Sequence, residues 1–182
     1  MGLFGSKDER KAIKAKAEAG RAKINPLLKM VERANYSGAI HLAALELHDD
    51  EVVEFAATGE FEGKGSCLLL TDERVIICGQ KGLSVSKHVL NYANVDRVDV
   101  GLGLGGASAT FFHGSEKTEF EKSAHGPLDD IRTIVQSHQA DISTPQAQAV
   151  GLQDLERLAQ LHARGILTDE EFSAAKNKAL GL

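Results

Sequence analysis

At 182 residues, 42% hydrophobic and 26% charged, the chain has the composition of a folded protein with room for one ordinary domain plus appendages, which excludes a disordered or low-complexity class. The formal net charge is −5, yet the stretch through Ala34 holds six lysines and three arginines against four acids, so a basic arm of +5 precedes a body of −10. Two cysteines, Cys67 and Cys78, cannot by themselves make a disulfide framework or a zinc site, and no apolar run approaches the roughly 18 to 20 residues of a membrane span. The first ten residues lack the apolar core and cleavage site of a signal peptide, so a cytoplasmic location is expected, with a membrane-peripheral one as the alternative. Gly2 and Ser6 fit the N-myristoylation pattern, but the pattern is short and the modification is not expected.

Residues 1–37 read as a basic helical arm. Lys7 to Ile24 is rich in Ala, Lys, Glu and Arg, all good helix formers, with a thin apolar stripe of Ile13, Ala17, Gly20 and Ile24, so a mostly solvated helix is expected. Asn25-Pro26 then reads as an N-cap followed by proline at the first helical position, opening a short helix whose apolar face is Leu27, Leu28, Met30 and Val31.

Residues 38–140 read as one domain. A helix is expected from about Gly38 to Leu47, carrying Ile40, Leu42, Ala43 and Leu45. His48-Asp49-Asp50-Glu51 invites a metal reading, but consecutive residues on regular backbone do not converge on one centre, and the run is taken as a solvated turn before a strand. From Glu51 the period shortens to two: Val53, Phe55 and Ala57 alternate as in a half-buried strand, and Gly59 and Gly63 mark a turn. Cys67 to Leu70 and Val75 to Cys78 are apolar runs joined by Thr71-Asp72-Glu73-Arg74, a hairpin that sets Cys67 opposite Cys78 as two packed thiols. Leu83 to Lys87, Val95 to Val100, Ala107 to Phe112 and Lys117 to Glu121 complete about seven short strands. Pro127 opens a closing helix with Leu128, Ile131, Ile134 and Val135 on one face. The fold class is therefore α+β: a seven-stranded antiparallel barrel or sandwich with a capping helix, preceded by helices and followed by a helical hairpin.

Glu51 ahead of the first strand, Leu-Leu-Leu-Thr-Asp-Glu-Arg-Val-Ile across the hairpin at residues 68–76, and Leu-Asn-Tyr-Ala-Asn-Val at residues 90–95 resemble bacterial pleckstrin-homology-like (PH-like) domains of the YokE-like group. Eukaryotic members of that fold often hold phosphoinositides on basic residues of the first hairpin. Here Thr58 to Gly65 carries two acids and one lysine, so the resemblance does not carry lipid binding with it.

Nothing in the chain spells an active site. Gly101 to Gly106 is followed by a strand pattern, not by the helix a phosphate-binding loop needs. The seven histidines lie apart, no Gly-x-Ser-x-Gly elbow is present, and Asp129-Asp130 reads as ordinary dipole partners at a helix start. The expectation is no enzyme, no catalytic residue, no cofactor and no metal.

After a linker at 141–150, residues 151–182 read as a helix-turn-helix hairpin. Leu152, Leu155, Leu158 and Ala159 share one face, Gly165 ends the first helix, Thr168 caps the second with Glu171 completing a capping box, and Phe172, Ala175, Ala179 and Leu182 follow at helical spacing. The run from Leu155 through Phe172 resembles the short C-terminal domain SHOCT, which implies an oligomerisation or docking role. A segment this small rarely buries its own apolar faces alone, so it needs a neighbour, either another chain or, as the alternative, the domain it follows. The chain is therefore expected to be a protein-interaction or oligomerisation module, a PH-like platform that associates with itself or another protein through Leu155, Leu158, Leu161, Ile166, Leu167 and Phe172. One alternative is a peripheral membrane protein whose Leu3, Phe4 and basic residues 1–24 meet an anionic surface. A further one, disfavoured by the acidic body, is a nucleic-acid-associated regulator.

Overall fold

The computed structural model describes residues 7–123, 125, 128–142, 162 and 168, and the chain divides into two compact units, Met1–Val135 and Gln136–Leu182. Helices α1 (Lys7–Ile24), α2 (Met30–Asn35) and α3 (Ser37–Glu46) come first. Strands β1 (Val53–Phe61), β2 (Lys64–Thr71), β3 (Arg74–Lys81), β4 (Ser84–Asn91), β5 (Arg97–Gly103), β6 (Gly106–His113) and β7 (Glu116–Ser123) follow, and α4 (Asp129–Ile142) comes after them. All strand pairs are antiparallel, in the order β4-β3-β2-β1-β7-β6-β5. Strands β4 and β5 remain as the two edges, so the sheet is a folded-over sandwich and not a closed barrel.

Two apolar cores explain why β2 and β3 read as continuous apolar runs. Leu68 and Leu70 of β2 and Val75 and Ile77 of β3 point into the sandwich, where they meet Phe111, Phe120, Leu128, Ile131 and Val135. Cys67, Leu69, Ile76 and Cys78, on the opposite face, pack under Ile24, Ala39, Ile40, Ala43 and Leu47. A strand covered on both faces has no polar side to alternate with. Helix α4 closes the inner core as expected, with Asp129 and Asp130 in its first turn.

The helix α1 has the expected limits, and its stripe is used locally. Ala17, Gly20 and Ile24 are buried while Ile13 is exposed. A Cβ at Gly20 would overlap the Ala44 carbonyl of α3, so glycine is what lets the two helices approach this closely. Asn25-Pro26 does not cap the next helix. It forms a separate 3-10 turn, Asn25–Leu27, and α2 starts at Met30. Met30 and Val31 are 77% and 59% exposed, against the expectation of an apolar face, because the six-residue helix turns Glu32 inward instead.

Gly59 is likewise no turn residue. It lies within β1 at the crossing with β7, where a Cβ would meet the Glu121 carbonyl and the Phe120 ring. The hairpin turn is shorter than expected, Glu62-Gly63, both with positive φ.

Candidate functional site

A group of ionisable side chains, His48, Glu51, Glu73 and Arg74, gathers where the segment after α3 meets the β2–β3 turn. Glu51 lies at the end of the His48-Asp49-Asp50-Glu51 run, and its carboxylate is fully buried, which corrects the reading of the whole run as solvated. Arg74, the first residue of β3, donates from Nε to Oε1 at 3.0 Å and from Nη2 to Oε2 at 2.9 Å. The Thr71 hydroxyl donates to Oε1 at 2.7 Å and the His48 backbone N–H to Oε2 at 2.9 Å. Each carboxylate oxygen thus accepts two hydrogen bonds, which is its ordinary capacity. Burial raises the Glu51 pKa, but the bonds from Arg74, His48 and Thr71 outweigh it and hold the carboxyl below its usual range.

The other turn residues are tied to the same segment. Asp72 and Val52 exchange two bonds, the Asp72 N–H donating to the Val52 carbonyl at 3.0 Å and the Val52 N–H to Asp72 Oδ1 at 2.8 Å. His48 Nδ1 lies 2.9 Å from Glu73 Oε2, and His48 Nε2 3.1 Å from Arg74 Nη2. A carboxylate only accepts, so Nδ1 carries a hydrogen and donates to Glu73. From α1, Lys23 Nζ donates to the carbonyls of His48, Asp49 and Glu51 at 3.2, 2.7 and 2.8 Å, using all three ammonium hydrogens. The run that invited a metal reading therefore wraps a lysine ammonium with its backbone.

Ligand atoms of His48, Glu51 and Glu73 lie within 4.8 Å of one another, a spacing a cation would accept. The Arg74 guanidinium occupies that position relative to Glu51, and both Glu51 oxygens are saturated. A divalent ion would have to displace it. What this arrangement does chemically is lock the hairpin turn to the helical layer.

A second group joins strands distant in sequence. Thr118 Oγ1 in β7 lies 2.8 Å from His113 Nε2 and 2.9 Å from His88 Nε2 of β4. One hydroxyl donates to one imidazole and accepts from the other. Burial and the neighbouring His113 both push the His88 pKa down. Thr118 is itself buried, which places its oxygen out of a substrate's reach.

Cys67 and Cys78 face each other in register, as the hairpin spacing implied, and both are buried free thiols. Burial pushes Cys78 up to about 12 and Cys67 also upward, so neither supplies a thiolate at neutral pH. Gly101 to Gly106 forms the ends of β5 and β6 and their turn, with Gly106 at φ 118, and no helix follows it. In the first hairpin, Lys64 lies 3.4 Å from Glu62, so its one lysine already has an acid beside it.

The residues expected to carry association, Leu155, Leu158, Leu161, Ile166, Leu167 and Phe172, lie outside the described residues, as do Leu3, Phe4, the 143–150 part of the linker and all of the hairpin but His162 and Thr168. Thr168, the expected N-cap, is non-helical and exposed. What sequence reasoning missed is the role of Arg74, Lys23 and Glu51 as one cluster. Their separations of tens of residues leave no local spacing to read, and the signal present was an acid run directly before a strand.

A family model described as a bacterial PH domain matches residues 47–137, half of the chain, and one described as a short C-terminal domain, SHOCT, matches residues 153–180. Among solved structures, a DUF1696 family protein with a pleckstrin-homology domain from Shewanella loihica PV-4 is 15% identical, with 62% of this chain and 94% of that chain covered and a TM-score of 0.40. A pleckstrin homology domain from Shewanella amazonensis SB2B is 15% identical, with 61% and 97% covered and a TM-score of 0.36. No match was found among curated proteins. Among the described residues, no helix is long and apolar enough to cross a membrane.

Proposed function

Because this chain belongs to the bacterial PH domain family and carries a SHOCT segment at residues 153–180, we propose that it is a non-enzymatic interaction protein that self-associates through that segment. The observation that carries the proposal is the size of the segment. Its 28 matched residues hold Leu155, Leu158, Leu161, Ile166, Leu167 and Phe172 and no cysteine, and a piece that short does not bury enough surface to fold without a partner. The PH domain supplies the platform at 38–140, the basic segment 1–37 precedes it, and 141–150 is the tether.

The state of the ionisable clusters supports the non-enzymatic part. Glu51 spends its lone pairs on Arg74, Thr71 and His48, and Thr118 is buried between two imidazoles, so neither is positioned to take a proton from a substrate. Sedimentation velocity on the full chain and on a chain ending at residue 150 tests the proposal. The full chain should sediment as an oligomer and the shortened one as a monomer. Equal, monomeric sedimentation of both would refute self-association.

A further inference from the structure

A cavity of about 300 Å³ opens among α1, the Asn25–Leu27 turn, α2 and α3, outside the residues matched by the PH family model. Its walls include Arg21, Asn25, Met30, Arg33, Ser37 and Ile40. Two guanidinium groups share these walls, and among the described residues neither makes an ion pair with a carboxylate. Arg21 Nη2 donates to the Ser37 carbonyl at 3.0 Å, which fixes the orientation of its fork. The Nε–H groups of Arg21 and Arg33 are both shut off from solvent and meet no acceptor among the described residues. Glu32, next to Arg33 in sequence, turns away: its oxygens accept from the Thr58 hydroxyl at 3.1 Å and the Lys29 N–H at 2.9 Å.

Two permanent cations line one cavity and repel each other, with no carboxylate paired to either among the described residues. An anion between them offsets that repulsion through the guanidinium edges. A carboxylate has about four lone-pair sites, fewer than the donors offered by two guanidinium forks with the Asn25 amide and the Ser37 hydroxyl. A phosphate group, with three or four oxygens, matches that set, and arginine forks bind it in bidentate fashion. We propose that this cavity binds a phosphate group through Arg21 and Arg33. The volume leaves space for a small organic body on the phosphate, and exposed Met30 at the rim offers it an apolar contact.

The test is a titration of the full chain with inorganic phosphate at constant ionic strength, following the arginine Nε–H resonances by NMR. The Arg21 and Arg33 signals should shift together and saturate. Arg21→Gln and Arg33→Gln should each weaken binding at least about tenfold, the loss expected for one charge-assisted pair, while Arg132→Gln, the same charge change at an exposed position of α4, leaves it unchanged. Arg33→Lys keeps the charge without the fork and should also bind more weakly, and it serves where Arg33→Gln fails to fold. A vesicle arm, phosphatidylglycerol in phosphatidylcholine, separates the sources of the phosphate. Vesicle binding that free phosphate competes away and Arg21→Gln abolishes assigns a lipid headgroup, whereas saturation by free phosphate without vesicle binding assigns a soluble ligand. Linear, unsaturated shifts, equal loss in Arg132→Gln, or saturation by citrate and not by phosphate would each overturn the assignment.

Discussion

Glu51 and Arg74, from opposite ends of the β1–β2 hairpin, form a two-pronged ion pair at 3.0 and 2.9 Å with the carboxylate sealed from solvent. The pair fastens the β2–β3 turn to the segment that leads out of α3, and Arg74 also donates to the Glu46 carbonyl at 3.0 Å at the end of that helix. Removing the guanidinium alone leaves a buried charge without its counter-ion. Arg74→Met should therefore cost about 3 to 5 kcal/mol in urea unfolding. Adding Glu51→Leu should recover part of the loss, because an apolar pair needs no counter-charge. A loss under about 1 kcal/mol in the single variant, the range of exposed pairs, would show that water reaches the site.

Acid should lower the stability of the protein in two pH windows. The His88 pKa is lower folded than unfolded, so its contribution is complete above its ordinary value near 6.5 and is lost as pH falls through the lower folded value. Glu51 is also held low, so its contribution is complete above about 4.5 and disappears as pH falls through its own folded value. Each group adds a slope of at most about 1.4 kcal/mol per pH unit in its window. Unfolding free energies measured from pH 7 to pH 3 should show both windows. His88→Gln should flatten the upper one and Glu51→Gln the lower. An unchanged upper slope in His88→Gln would contradict the assignment.

Gly20→Ala sets two effects against each other. Alanine in place of glycine favours an exposed helix by about 1 kcal/mol. Here the new methyl would overlap backbone atoms of Ala44, and overpacking against a partner that cannot rotate away costs about 1 to 3 kcal/mol. The melting temperature should fall, and protection of α1 amides from hydrogen exchange should fall with it. A rise in melting temperature would mean that α1 and α3 are less tightly apposed than described.

The sheet was legible wherever its pattern was local. Turn residues and apolar runs placed the β2–β3 hairpin, and counting across Thr71 to Arg74 set Cys67 opposite Cys78. The limits of α1 followed from propensity, and the stripe of Leu128, Ile131 and Val135 pointed α4 at a core. Long-range pairing was not legible. Nothing near Gly59 announces that β7 crosses there, and nothing near Glu51 announces Arg74 or the reach of Lys23 from α1. The unbroken apolar runs of β2 and β3 held a clue, since two buried faces require a second layer, and the N-terminal helices are that layer. Met30 and Val31 misled for the converse reason. In a six-residue helix one inward residue, Glu32, decides which side is covered.

Light scattering on purified Phe172→Asp, beside the unaltered chain at the same concentrations, decides whether the proposed self-association runs through residues 153–180. The unaltered chain should have the molar mass of an oligomer. The variant should fall to a monomer of 19.5 kDa while keeping the circular dichroism and urea midpoint of the PH domain. A monomeric mass for both, or an oligomeric mass that survives the aspartate, would contradict it.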